Sequence, residues 1–163
     1  MEEIKNIFFE ARDIPYRIPL NVFEKDNACV GKHFFIKDKL ELLGYQIRWA
    51  ECTFSWSELP IPKDILKIKH IEPGFHVWLE ISRYGVWHTL DATWDTGLRK
   101  IFPVNDWQEF GNMKPAVPVF ERISDERVIV TRNPPKGYEQ ELEKERHFLE
   151  VVNSWLNATR NLE

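Results

Sequence analysis

Cys29 stands where a helix should begin, and a His and an Asp further along the chain are spaced so that they can be brought to it. The segment Asn27-Ala28-Cys29-Val30-Gly31-Lys32-His33 follows an irregular, Pro-containing stretch. It leads into a helical pattern from Phe34 to Leu43, with Asn27 as the expected N-cap and Gly44 as the stop. A thiol in the first helical turn faces unpaired backbone N–H groups and the positive end of the dipole, and both favour thiolate over thiol. The chemistry this points to is nucleophilic attack on a carbonyl, which needs a base and a group to orient that base.

Strand geometry supplies both. Phe75 to Ile81 and Val86 to Thr93 are alternating runs separated by Ser82-Arg83-Tyr84-Gly85, the pattern of a hairpin. His76, Trp78 and Glu80 then share one face, and Val77, Leu79 and Ile81 the other. With Arg83 and Tyr84 at the tip, His76 faces Asp91 directly. With Tyr84 and Gly85 at the tip, the two are diagonal neighbours on one face, still within reach. Taken singly, each residue has a structural reading: Cys29 as a buried thiol, His76 as a hydrogen-bonded core imidazole, Asp91 as the cap of the following turn. Asp95 is an alternative acid. The conjunction of a helix-start Cys with a same-face His and Asp favours the chemical reading over the three separate ones.

The motifs that carry these residues resemble the transglutaminase-like branch of the papain-like cysteine enzymes. A Cys at a helix start is followed by an L-x-x-x-G-x-x-x-R segment, matched by Leu40, Gly44 and Arg48. Next comes H-x-W-x-E, matched by His76, Trp78 and Glu80, and then W-x-x-L-D-x-T, matched by Trp87, Leu90, Asp91 and Thr93. The blocks fall in family order and cover residues 27 to 95. The chain departs from the pattern at Ala92, where the family often has Pro, and in lacking an upstream Gln for the oxyanion hole. Phe23 lies six residues before Cys29, with Asn21 and Asn27 nearby, so the second oxyanion donor is unassigned.

The composition suits an enzyme with a sizeable core. The 163 residues are one domain's worth, so 1–163 is read as a single domain, and seven Trp and eleven Phe supply bulky apolar groups. A net charge of −4 without a basic stripe gives no electrostatic case for nucleic acid. No apolar run approaches transmembrane length, and Met1-Glu2-Glu3-Ile4-Lys5 lacks the features of a signal peptide, so a cytoplasmic setting away from membranes is expected. In that setting a Cys29–Cys52 disulfide is not expected, and Cys52 reads as a core thiol in a strand within Gln46 to Trp56. Cys29 and His33 share a helix face and would form half of a metal site. Cys52, His70 and His88 are too scattered to supply the other half, so no metal and no cofactor are expected. No carboxylate cluster of the calcium-binding kind is present.

Around this centre, residues 1 to 26, with Pro15 and Pro19, read as an extended arm with a short strand or a turn of helix around Ile4 to Ala11. Glu58 to Pro73 reads as loop with a turn of helix near Asp64 to Ile68, placed to wall a cleft. Gly97 to Pro118 reads as irregular, followed by short strands at Val117 to Glu121 and Arg127 to Thr131. Glu139 to Leu156 carries apolar residues at Leu142, Leu149, Val152 and Leu156, the stripe of an amphipathic helix.

The expectation is therefore an α+β, papain-like or transglutaminase-like domain, with a helix bearing Cys29 packed on an antiparallel sheet that carries His76 and Asp91. The expected activity is cysteine-dependent acyl transfer on amide or peptide bonds through a thioester resolved by water or an amine, whether of the protease, deamidase or transglutaminase type. Cys29 is the nucleophile, His76 the base and Asp91 its orienter; the partner is a peptide, protein or small amide substrate. A catalytically silent protein-binding module on the same fold is the alternative. Retention of all three residues argues against it.

Overall fold

The computed structural model describes residues 2–107 and 113–161. Its first element is a full helix, α1 (Glu2–Arg12), where an extended arm with a short strand or a turn of helix around Ile4 to Ala11 is expected from the sequence. Ile4, Ile7, Phe8 and Ala11 recur at helical spacing and bury one stripe, while Glu2 and Glu3 in the first turn and Arg12 in the last suit the dipole. Pro15 and Pro19 shape only the segment that follows the helix, whose own periodicity is intact before them.

Helix α2 (Cys29–Leu42) begins at the cysteine itself. It ends in a Schellman turn: Gly44, at φ +81°, donates to the Glu41 carbonyl at 2.9 Å, and the Tyr45 N–H reaches the Leu40 carbonyl at 3.0 Å. Strand β1 (Ile47–Phe54) follows, then a 3₁₀ turn at Trp56–Glu58 and a single helical turn, α3 (Lys63–Leu66), close to where a turn of helix was expected.

β2 (Gly74–Arg83) and β3 (Val86–Leu90) form the expected hairpin. Arg83 pairs with Val86, so Tyr84 and Gly85 are the tip; their φ of 52° and 77° are the left-handed pair that a two-residue hairpin turn of matching twist requires. The strand expected to run to Thr93 stops at Leu90. Beyond it the Asp91 side chain accepts the Thr93 N–H at 3.0 Å, a local turn that draws the backbone out of the ladder. β4 is only Glu121–Arg122, on the outer side of β1. No strand forms at Arg127 to Thr131, where the chain makes a 3₁₀ turn at Asp125–Arg127 and then runs with Ile129 exposed and no strand partner. The last element, α4 (Tyr138–Arg160), is longer than the stripe alone indicated.

The molecule is α+β: one antiparallel sheet in the order β3-β2-β1-β4 with helices against it. Ala50, Cys52, Phe54 and Trp78 pack with Leu142, Phe148, Leu149, Val152 and Leu156 of α4, while Leu79 and Ile81 pack with α1 and α2 through Ile4, Phe8, Ile36 and Leu40. The alternation along β2 thus feeds two cores, and each fully buried Leu, Ile or Phe contributes about 1.5–3 kcal/mol. No helix among the described residues is long and apolar enough to cross a membrane.

Candidate active site

The start of α2 is built differently from the expected cap. Ala28 takes the N-cap position without a side-chain bond, and it is Asp26, not Asn27, that turns back, accepting the Ala28 N–H at 2.7 Å and also bonding the Gly31 N–H. An Asx-type bond two residues on places the carboxylate against the first turn, whereas the backbone of Asn27 is committed to an isolated bridge with Arg17. Gly31 is needed for this: a Cβ there would lie 1.9 Å from the Asp26 carbonyl oxygen. Cys29 is left partly exposed at the helix tip, lining a cleft of about 480 Å³ with His76.

The observed register aligns Leu79 with Leu90, so Asp91 comes beside Trp78 and diagonal to His76, the second of the two expected arrangements. His76 Nε2 meets Asp91 Oδ2 at 2.8 Å, and its ring stacks near Trp78 with centroids 5.7 Å apart, away from Val77 and Leu79. The Cys29 side chain, which lines the same cleft, is close enough to help raise the pKa of the ring. With Nε2 occupied by the carboxylate, Nδ1 is the nitrogen left to face the sulfur. Burial opposes a charge on His76, but the Asp91 carboxylate and the Cys29 contact outweigh it and push its pKa up to about 10. Burial likewise opposes the Asp91 anion, yet the His76 charge and hydrogen bond hold it well below the usual carboxylate range. Backbone N–H groups of Thr93 (3.0 Å) and Ala116 (2.7 Å) complete its shell.

Asp95 is engaged elsewhere. It accepts from Arg160 at 2.6 Å and from the Tyr16 N–H at 2.8 Å and caps Gly97, tying the end of α4 to the segment after α1. Cys52 is buried in β1 and free, with burial raising its pKa to about 12; Cys29 is free too. Glu80 ties β2 to the strands on the side away from the hairpin: its carboxylate meets Arg48 of β1 at 2.6 Å and Arg122 of β4 at 2.9 Å.

His33 does not point toward a metal site. Nδ1 donates to the Cys29 carbonyl at 2.7 Å and Nε2 accepts the Ala92 N–H at 3.1 Å, so backbone groups use both nitrogens. Among the described residues no group of three or more His, Cys, Asp or Glu is placed to hold a metal ion. Lys32 beside it had no assigned role in the sequence. It is fully buried, and its Nζ donates to the carbonyls of Arg12 (2.9 Å), Ile14 (3.0 Å) and Thr93 (2.8 Å). One side chain thus fastens α2 both to the segment after α1 and to the turn carrying Asp91. A lysine in the first turns of a helix signals nothing of this, because all three acceptors are distant in sequence or lie in irregular backbone.

The cleft has an aromatic and aliphatic wall. Leu59, Ile71 and Pro73 come from the segment expected to wall it and Trp56 from the turn before it, while Tyr16 from the segment after α1 and Tyr138 from α4 close the other side. Neither tyrosine was singled out in the sequence, since each is brought to Cys29 only by the packing of the termini. Burial and the neighbouring Cys29 and Asp26 raise the pKa of both, so both remain phenols near neutrality. A free thiol, an imidazole protonated at neutral pH and a buried carboxylate thus meet beside one largely apolar cleft. Comparison with protein families, curated proteins and solved structures finds no match to this chain.

Proposed function

We propose that the chain is a cysteine-dependent acyl-transfer enzyme of the transglutaminase-like, papain-like type, with Cys29, His76 and Asp91 as its triad. The observation that carries this reading is the His76 ring, bonded at Nε2 to Asp91 at 2.8 Å and facing the same cleft as Cys29. Cys29 attacks an amide or ester carbonyl as the thiolate, a C–S bond forms, and the carbonyl oxygen takes up the negative charge at the N-terminus of α2. The Cys29 N–H is one donor to that oxygen. His76, carrying the proton, delivers it to the leaving amine or alkoxide as the C–N or C–O bond breaks. Asp91 keeps the ring oriented and stabilises its charge. The thioester then passes its acyl group to water or to an amine, with His76 taking the acceptor's proton.

The test is to expose the full chain to p-nitrophenyl acetate and to follow nitrophenolate release and acetyl-Cys29 by intact and peptide mass spectrometry. A burst with a hydroxylamine-labile acetyl group on Cys29, lost in Cys29→Ala and strongly slowed in His76→Ala, is expected. Equal acetylation rates in the wild type and His76→Ala would overturn the triad.

A further inference from the structure

The cleft is uneven in both polarity and charge. Phe54, Trp56, Leu59, Leu142 and Leu149 give it an apolar floor drawn from three parts of the fold, and about 480 Å³ is ample for an aromatic or branched aliphatic side chain. Among the described residues no Lys or Arg lines it, while the carboxylates of Asp26, Glu141 and Glu145 do. Glu141 is exposed and paired with Lys144. Asp26 and Glu145 are half-buried, and among the described residues neither has a Lys or Arg partner. Among the described residues Asp26 accepts the N–H groups of Ala28 (2.7 Å) and Gly31, and Glu145 accepts that of Ile71 (3.0 Å) with the His70 imidazole nearby. Tyr138 lies within the electrostatic reach of both and of Cys29.

We infer that this cleft selects a substrate with a bulky apolar acyl side chain and a cationic group beside it, and disfavours anionic ones, an inference that rests on Cys29 being the attacking residue. Burial raises the pKa of both Asp26 and Glu145, a cost that a bound ammonium or guanidinium relieves and a bound carboxylate aggravates. The apolar floor supplies affinity without direction, and the carboxylates supply the sign of charge.

Chloromethyl ketones test this on the full chain, since each alkylates Cys29 by forming a C–S bond and expelling chloride. Four are compared: acetyl-glycyl, acetyl-phenylalanyl, trimethylammonioacetyl-phenylalanyl and succinyl-phenylalanyl, with second-order rates for Cys29 read by intact mass. The phenylalanyl probe should react about tenfold faster than the glycyl one, by burial of a ring in the cleft. At low salt the cationic cap should outrun the succinyl cap by about tenfold, and added salt should shrink that ratio. Glu145→Gln should narrow the cation-to-anion ratio several-fold while leaving the phenylalanyl-to-glycyl ratio in place. Equal rates for the two charged caps, a faster succinyl probe, or labelling by iodoacetamide but by none of the four would overturn the inference. Failure of the underlying triad shows separately, as an iodoacetamide rate that is unchanged in His76→Ala.

Discussion

The Ala92 N–H donates to Nε2 of His33 at 3.1 Å. This bond fixes the tautomer: Nε2 has no proton, so Nδ1–H donates to the Cys29 carbonyl at 2.7 Å. A neutral imidazole therefore links the backbone of Cys29 to Ala92, the residue after Asp91, and its Nε2 lies 3.7 Å from Asp91 Oδ1. The two histidines of the site are held in opposite charge states by their surroundings.

His33 should make the protein acid-sensitive. Burial, the largest influence, lowers its pKa from 6.5 to about 4, against the pull of Asp91. Between those values the unfolded chain binds a proton that the folded chain refuses, so stability falls as pH drops from 6.5 toward 4. The loss is on the order of 3 kcal/mol at full extent. Urea melts across this window should show a shallower acid loss in His33→Gln than in the wild type; parallel curves would show that His33 is not the group.

The two cysteines should differ sharply toward iodoacetamide. Cys29 is partly exposed beside His76, whereas Cys52 is fully buried in β1 with burial raising its pKa to about 12. At pH 7 peptide mapping should find label on Cys29 alone, and unfolding in urea should bring the two rates together. Comparable labelling in the folded chain would contradict the exposed position of Cys29.

The triad variants should rank by role. Cys29→Ala and His76→Ala should reduce p-nitrophenyl acetate turnover to background. Asp91→Asn, which keeps the shape but loses the charge that orients and stabilises His76, should lose up to about 10⁴-fold. Asp95→Asn should leave acylation near the wild-type rate but lower stability by about 3–5 kcal/mol, because it strips a buried carboxylate from Arg160. An Asp95→Asn protein that is stable but inactive, beside an active Asp91→Asn, would reverse the assignment.

Lys32→Met keeps the bulk of the side chain but leaves three carbonyls without their donor. The expected cost is on the order of 3–5 kcal/mol, a fall of about 10 °C in Tm by calorimetry. A loss below about 1 kcal/mol would mean that water replaces the ammonium at those carbonyls.

Local rules sufficed wherever one stretch of chain sets its own conformation. Cys29 as the first residue of α2, Gly44 as its C-terminal turn and the His76-Trp78-Glu80 face each follow from spacing and backbone preference. The stripe that becomes α4 is of the same kind. The stripe of α1 at Ile4, Ile7, Phe8 and Ala11 is of the same kind, but Pro15 and Pro19 after it obscure how far the helix runs.

Tertiary packing decided what local preference leaves equal. Both hairpin tips were open to the same residues, and the one adopted places Tyr84 at φ 52°, a conformation that costs a non-glycine residue something and is accepted here for strand register. Asp26 rather than Asn27 serves the helix start because the Asp26 backbone lies against Gly31, a contact between neighbours that composition does not reveal. The choice of Asp91 over Asp95 follows from partners far away in sequence: Asp95 is taken by Arg160 at the end of α4, which leaves Asp91 with His76. Long-range partners also account for the bonds of Lys32 and His33 and for the carboxylates in the cleft wall. Propensity acts over a few residues, whereas burial and charge pairing act between whatever residues the fold brings together.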